Sequence, residues 1–528
     1  MSRLMGPARF AVLSILLLQA SGFAQATTTG ASTPWTTYSG DFTGQRHSPL
    51  TQITPANVGE LRPVWTFQSS VLGKWEASPL VVDGVIYATG PENSAWAIEA
   101  ATGRTLWRYR RVLHLEELSV CCGPVNRGFA RYKDRLLMVT LDAHLVALDI
   151  KTGKVVYDVV IDDFKRGYTG TAAPLVVKDK VIVGIAGAEF GIRGFIDAFD
   201  AETGKKAWRF WTVPLPAEPG GDTWLKDSAQ HGGGPTWITG TYDPELNLVY
   251  WGTGNPSPLY FGDKRAGDNL FTNCLLAINP DSGTLVWWYQ FTPHDTHDWD
   301  SNHVPVLADL EFGGVARKVV MVANRNGFFY VLDRTNGTFL LGKEFVHQTW
   351  AKSIGADGRP LILPNSEPTA QGTMTCPDFF GATNFMSPSF NPALRLFFVT
   401  ARETCGVFYT REQEFVEGQR YEAGGMRRGG AEPGYGALRA IDVATGERKW
   451  EFRTARPSLA GTLSTASGLV FSGDMDGNFF AVDAGSGKPL WNYQTGSAIY
   501  AAPITYLVDG KQYVLLGSGT TLTAYALR

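Results

Sequence analysis

The run Thr292-Pro293-His294-Asp295-Thr296-His297-Asp298-Trp299-Asp300-Ser301 sets three carboxylates and two imidazoles within ten residues. Such charge density is costly to hold in a folded chain unless a cation or a proton-transfer step uses it. A solvated polar loop is the plain alternative. His294 and His297 stand three apart, but imidazole suits softer ions, so both are read as structural. Glu189 in Gly187-Ala188-Glu189-Phe190-Gly191, Asn255 in Gly252-Thr253-Gly254-Asn255-Pro256, and Asp298 together offer hard oxygen ligands for Ca²⁺ or a similar cation. Each alone would also serve as a turn or capping residue. Cys121 and Cys122 are adjacent. A bond between neighbours closes a strained eight-membered ring, so buried thiols or other pairings are the alternative. If the two do bond, the ring is a rigid, flat, apolar platform. Trp237 follows Gly232-Gly233-Gly234-Pro235-Thr236 and offers a second flat surface, with glycines that permit close approach; a core Trp is the alternative.

The elements that must position these residues show as a repeat. A small or apolar residue precedes Asp or a substitute, then come linker residues, Gly, and an aromatic four residues later. It occurs at Ala97-Ile98-Glu99 to Gly103 and Trp107, Ala147-Leu148-Asp149 to Gly153 and Tyr157, Ala198-Phe199-Asp200 to Gly204 and Trp208, and Ala277-Ile278-Asn279 to Gly283 and Trp287. Val331-Leu332-Asp333 leads through Gly337 to Leu341, Ala440-Ile441-Asp442 through Gly446 to Trp450, and Ala481-Val482-Asp483 through Gly487 to Trp491. A degenerate eighth copy is Val64-Trp65. The apolar run before the Asp is a strand, the Gly closes a tight hairpin at positive φ, and the Trp opens the next strand. Each unit is a small antiparallel sheet that cannot bury its own faces, and radial stacking buries them. The spacing predicts an all-β, eight-bladed β-propeller, with the strand at Trp65 completing the last blade after Trp491. Extra residues before Trp287 and Trp450 read as insertions, or as a blade without a motif around Phe397-Phe398-Val399. Gln413 to Tyr435 reads as a surface loop.

The chain has 528 residues, 44% of them hydrophobic, enough for a large core, and a net charge of −3 that gives no reason to expect nucleic acid or an anionic membrane as partner. Arg3 and Arg9, the apolar run Phe10–Ala20 and small residues after it read as a secretory signal peptide over 1–24, with one mature domain over 25–528 and no membrane span. The protein is therefore expected in the periplasm, where disulfides are permitted. None of the five cysteines lies in a C-x-x-C-H, so no c-type haem is expected on this chain.

Cys121-Cys122 with Asn126-Arg127-Gly128, Gly187-Ala188-Glu189, Gly252-Thr253-Gly254-Asn255-Pro256, Pro293-His294-Asp295 and Asn324-Arg325-Asn326-Gly327-Phe328 resemble the pyrroloquinoline quinone (PQQ)-dependent methanol/ethanol dehydrogenase family, in that family's order and over essentially the whole mature chain. The resemblance implies an eight-bladed propeller with PQQ and a metal ion in its central funnel. PQQ would lie between the Cys121–Cys122 ring and Trp237, with Glu76 hydrogen-bonding the quinone. Arg127 and Thr171 would hold its carboxylates, Arg325 would sit by its reactive oxygens, and Asn384 is a weaker contact. Glu189, Asn255 and Asp298 would ligate the metal, Asp298 would act as base on an alcohol, and a separate soluble cytochrome c would take the electrons. Cys376 and Cys405 would form a second disulfide, leaving Cys274 free. A homodimer is among the assemblies to expect.

Asp300 lies two residues past Asp298, and alternation along an extended chain points both side chains the same way. In this family an acidic residue there resembles the lanthanide-using branch, so the expected metal is a lanthanide, with Ca²⁺ as alternative. His297 stands where a Trp is usual, Ala186 replaces a common Ser, and Leu459-Ala460-Gly461 replaces a Trp beside the quinone, which implies a roomier pocket. The competing readings are a non-catalytic propeller that scaffolds outer-membrane protein assembly, and a PQQ-dependent sugar or polyol dehydrogenase.

Overall fold

The structure, a computed structural model, describes Met1, residues 34–429 and residues 434–528. Apart from Met1, the expected signal peptide lies outside the described residues. Among the described residues no helix is long and apolar enough to cross a membrane.

Strands dominate because short apolar stretches alternate with turns that force the chain back. In the turn after the strand His144–Asp149, the Asp149 carboxylate accepts from the Thr152 N–H at 2.8 Å and the Thr152 hydroxyl at 2.7 Å, while Gly153 takes φ of 68°. Asp200 and Thr203 repeat both bonds one unit later. Blade one comprises Leu80–Val82, Val85–Gly90, Ser94–Glu99 and Thr105–Arg110, paired antiparallel in that order. Blades two to seven follow the same order and begin at Ala130, Leu175, Thr241, Val306, Ser389 and Leu463. Blade eight takes Ile504–Val508, Lys511–Ser518 and Thr521–Ala526 from the end of the chain, and Arg62–Gln68 from its beginning as the fourth strand. Blade seven carries His47–Ser48 as a fifth strand, parallel to its first, and the other seven have four strands each, so the units number eight as the repeat predicts.

The aromatic of each repeat fastens one blade to the next. Trp107 Nε1 donates to the Ile150 carbonyl, Trp208 to Pro280, Trp287 to Arg334 and Trp450 to Ala484, at 2.9–3.1 Å. Tyr157 does the same through its hydroxyl to Ala201. Trp491 reaches Leu61, beside the strand that closes blade eight, and Trp65 reaches Ala100 in blade one, so the chain of contacts returns to its start. Leu341, with no N–H to give, packs on Gly446 instead. The cores lie between blades: Trp107 and Tyr87 of blade one pack with Leu136, Met138 and Val146 of blade two.

The glycine of each repeat gives the indole a floor. A methyl group on Gly487 would stand 2.5 Å from the Trp450 ring, and the residue holds φ of 71°. Gly487→Ala is therefore expected to cost about 1–3 kcal/mol, through both the collision and the left-handed backbone. It should show as a lower thermal unfolding temperature, with Gly510→Ala, which has open space around it, as the control for backbone strain alone.

Phe397–Val399 belongs to the second strand of blade six, Leu396–Glu403, so no blade lacks its motif. The extra residues are insertions. One holds the hairpin Ala351–Ile354 and Pro360–Ile362; another builds a three-stranded sheet from Thr373–Thr375, Gly406–Thr410 and Gly424–Arg428. The expectation of a surface loop over 413–435 holds for 413–423 and needs correction beyond it, because Gly424–Arg428 is a strand and Tyr435 begins another, with 430–433 outside the described residues. A disulfide joins Cys376 to Cys405, and Cys274 is free and buried.

Candidate active site

In a four-stranded antiparallel blade, the entry to the first strand and the link between the second and third strands open at the same end. Glu76, Cys121, Cys122, Arg127, Thr171, Trp237, Asp298, Asp300 and Asn384 lie on entries; Glu189, Asn255 and Arg325 lie on second-to-third links. All twelve line one cavity of about 920 Å³ of atom-free space, part of it open to solvent. No candidate from the sequence falls outside it.

Cys121 and Cys122 are bonded to each other and exposed at its mouth. Trp237 lines the same cavity, and its indole Nε1 donates to Asp300 Oδ2 at 3.1 Å. Arg127 pairs with Glu76 at 2.7 Å, both side chains buried, and lies 4.9 Å over the Trp237 ring. Glu76 is thus committed to Arg127. Among the described residues Nε and Nη1 of Arg127 are buried without a partner, and a guanidinium with two spare donors in a cavity suits an anionic group. Arg325 donates through Nη1 to the Asp298 carbonyl at 2.7 Å and through Nη2 to Asn384 Oδ1 at 3.1 Å, and pairs with Asp300 Oδ2 at 3.1 Å.

The two aspartates differ sharply. Asp300 Oδ1 accepts from the Asn255 backbone N–H at 2.8 Å, and Oδ2 takes Trp237 and Arg325, so this carboxylate is fully engaged. Among the described residues, no hydrogen bond or ion pair ends on the Asp298 carboxylate. Asp298 sits at φ of 63°, so it is not extended; the alternation argument fails here, and both side chains reach the cavity because the chain turns between them. Burial, then the charge of Asp300, raises the Asp298 pKa well above the ordinary carboxylate range. Burial, with Asp300 and Glu422 adding, pushes Glu189 up to about 7. Carboxylates gathered in this way repel one another, and a cation among them would reverse both shifts. Glu189, Asn255, Asp298 and Asp300 line one cavity and offer hard oxygen donors to a metal ion, although the three carboxylates do not close on a single point in this structure; Arg127 and Arg325, both over the Trp237 ring, offer charge and a flat face to an anionic, planar cofactor.

The histidines hold the loop. His297 stacks on Trp299 with centroids 4.3 Å apart, bonds the Ser366 carbonyl at 3.0 Å, and has its pKa lowered to about 4 by burial. His294 bonds the Gly267 carbonyl through Nδ1. Neither lines the cavity, in accord with the structural reading. Asp295 accepts from the backbone N–H groups of His297 and Trp299 and so shapes the turn that presents Asp298.

The PQQ family profile described as "Glucose/ethanol/alcohol dehydrogenase, beta-propeller domain" matches residues 35–348 and 431–514. The chain belongs to the PQQ-dependent alcohol dehydrogenase family. It is 39% identical over 504 residues to the quinoprotein alcohol dehydrogenase PedH of Pseudomonas putida, covering 90% of this chain and 84% of that protein. It is 36% identical over 516 residues to the lanthanide-dependent methanol dehydrogenase of Methylacidiphilum fumariolicum, covering 92% and 84%. A solved europium-containing methanol dehydrogenase superposes with a TM-score of 0.90 at 32% identity, covering 95% of this chain and 99% of that one. The quinohemoprotein alcohol dehydrogenase of Comamonas testosteroni gives 0.89 at 34%, covering 94% and 80%.

Other cavity residues carried no signal in the sequence. Phe379, Phe380 and Phe385 form an apolar wall with Leu459, and Lys74, Val120 and Phe190 complete the rim. Apart from Leu459, a resemblance-based departure, these are ordinary loop residues brought in by long-range folding.

Proposed function

We propose that this propeller, as a single domain over 25–528, oxidises an alcohol to an aldehyde in the periplasm with PQQ and one metal ion, a lanthanide or Ca²⁺, and passes electrons to a separate soluble cytochrome c. When bound, PQQ would supply a hydride acceptor for the alcohol carbon and the metal a Lewis acid. The chain's own residues do the rest. The Cys121–Cys122 plate and Trp237 would face the cofactor ring, Arg127 and Thr171 would hold its carboxylates, and Glu76 keeps Arg127 in place. Glu189, Asn255, Asp298 and Asp300 would hold the metal. Asp298 takes the hydroxyl proton as general base, and Arg325, tied to the Asp298 carbonyl, fixes the orientation of that loop. The observation that carries this reading is the contrast between the two aspartates: one carboxylate is anchored by three donors, and the other is unpartnered and faces the cavity.

Leu459 and the three phenylalanines leave an apolar wall beside the site, which favours alcohols larger than methanol over a polyol. A scaffold would require neither the spare Arg127 donors nor the carboxylate cluster. The test is dye-linked oxidation by protein loaded with PQQ and either Ca²⁺ or La³⁺, across methanol, ethanol, butanol, an aromatic alcohol and a polyol. Turnover with PQQ and one of the ions, rising from methanol to the larger alcohols, is expected. No turnover with any alcohol and no PQQ retained on gel filtration would sink the proposal.

A further inference from the structure

The segment 411–423 joins two strands of the three-stranded sheet and packs behind the Glu189 turn and the Cys121 loop, both of which line the cavity. Gln413 staples its base, donating to the Arg420 carbonyl and accepting from the Ala423 N–H. Its outer turn is tied to blade-two and blade-three elements by the Glu417–Arg166 pair at 3.0 Å. The family profile leaves this stretch unmatched.

Its inner side touches two parts of the proposed cofactor site. The Tyr421 N–H donates to the Glu189 carbonyl at 2.7 Å. Phe415 stacks on His231 with centroids 3.6 Å apart and meets Tyr421 edge-on. Both rings settle over Gly191, two residues from Glu189, where a methyl group would stand 2.8 Å from the Phe415 ring. Arg420 lies over the Phe190 ring, and its Nη2 donates to the Cys121 carbonyl at 3.4 Å. The Ser119 hydroxyl donates to the Gly418 carbonyl beside it. On its other side Lys74 Nζ donates to the Cys122 carbonyl at 3.3 Å, and the Glu92 N–H donates to the Pro124 carbonyl at 2.8 Å; Cys121 and Cys122 are themselves exposed, as are Leu115, Glu116 and Glu117 before them. A plate that must press on a cofactor face needs rigid backing, and the strap is the element that spans from the Glu189 turn to that plate.

We propose that 411–423 is a clamp on the cofactor cavity, in which Phe415 and Arg420 are positioning residues that hold the Cys121–Cys122 plate and the Glu189 turn against bound PQQ. The inference rests on the PQQ reading above. Neither residue need touch the cofactor; each acts on the backbone of a residue that does. Loosening the clamp should speed escape of the cofactor more than it weakens the propeller, because the strap lies outside the blade cores.

The test uses full-length protein loaded with PQQ and La³⁺. Release of PQQ after rapid dilution into excess chelator is followed by the fluorescence of the freed quinone, beside the unfolding temperature of the unloaded protein. Phe415→Ala and Arg420→Ala are each expected to speed release about tenfold, the scale of one lost charged hydrogen bond or well-packed contact. Arg420→Lys should recover part of the loss, and the unfolding temperature should hold. Release within twofold of wild type for both alanine variants overturns the clamp. So does faster release that only tracks a lower unfolding temperature. If wild-type protein retains no PQQ at all, the functional reading and the clamp fall together; if wild type retains it and the variants do so equally well, only the clamp falls.

Discussion

Asp298→Asn is expected to lower kcat for alcohol oxidation by about 10²–10⁴-fold, the usual contribution of a positioned general base. The substitution is close to isosteric and keeps one oxygen for a metal. The Asp298 carboxylate has no hydrogen-bond partner among the described residues, so no structural bond is lost. The backbone contact that positions the loop, from Arg325 to the Asp298 carbonyl, is untouched. PQQ and metal content should therefore stay near wild type while turnover collapses. The measurement is kcat at saturating alcohol, with bound quinone and metal quantified on the same sample. A variant that keeps both groups and turns over within tenfold of wild type would remove Asp298 from the base role.

Asp300→Ala should have the second largest effect, and the ion used should set its size. A lanthanide carries more charge than Ca²⁺, so removing one anionic ligand should hurt lanthanide-supported turnover more, by about 100-fold against about tenfold with Ca²⁺. The structure makes the ratio between the ions the informative number. Asp300 also anchors the Trp237 indole, the Asn255 N–H and the Arg325 guanidinium, so some loss with either ion is expected from their release. Asp300→Asn is no gentler, since its amide would set an N–H against one of those donors. Equal loss with La³⁺ and Ca²⁺ would make Asp300 an anchor only and withdraw the lanthanide assignment.

The blades were legible because each repeat solves its own local problem: the Asp149 and Asp200 turns and their glycines are encoded within a few residues. The ring closure was legible for the same reason, since Trp65 keeps the docking residue even where its turn is lost. Which residues share the cavity was legible where residue type is constrained by chemistry, as at Cys121-Cys122, Glu189, Asn255 and Asp298. Their presentation was not. The left-handed backbone of Asp298 follows from Asp295 capping His297 and Trp299, a tertiary arrangement that strand periodicity cannot reveal. The Arg127–Glu76 pair joins residues 51 apart. The strap 411–423 reads as a polar loop because its partners, Cys121, Glu189 and His231, lie far away in sequence.

The closing strand of blade eight sets an order of events. Arg62 pairs with Ala526 and Gln68 with Thr521, so the final register can form only once nearly the whole chain is available. Seven blades can stack as they emerge, but until the last pairing forms they remain an open arc with a free edge at each end. The walls of the cavity come from loops between blades, and their separation is set by the closed ring. Maturation of the enzyme should therefore run in one direction: chain completion, ring closure, then uptake of the small groups, with any truncation that removes Thr521–Ala526 leaving an aggregation-prone arc rather than a smaller working protein.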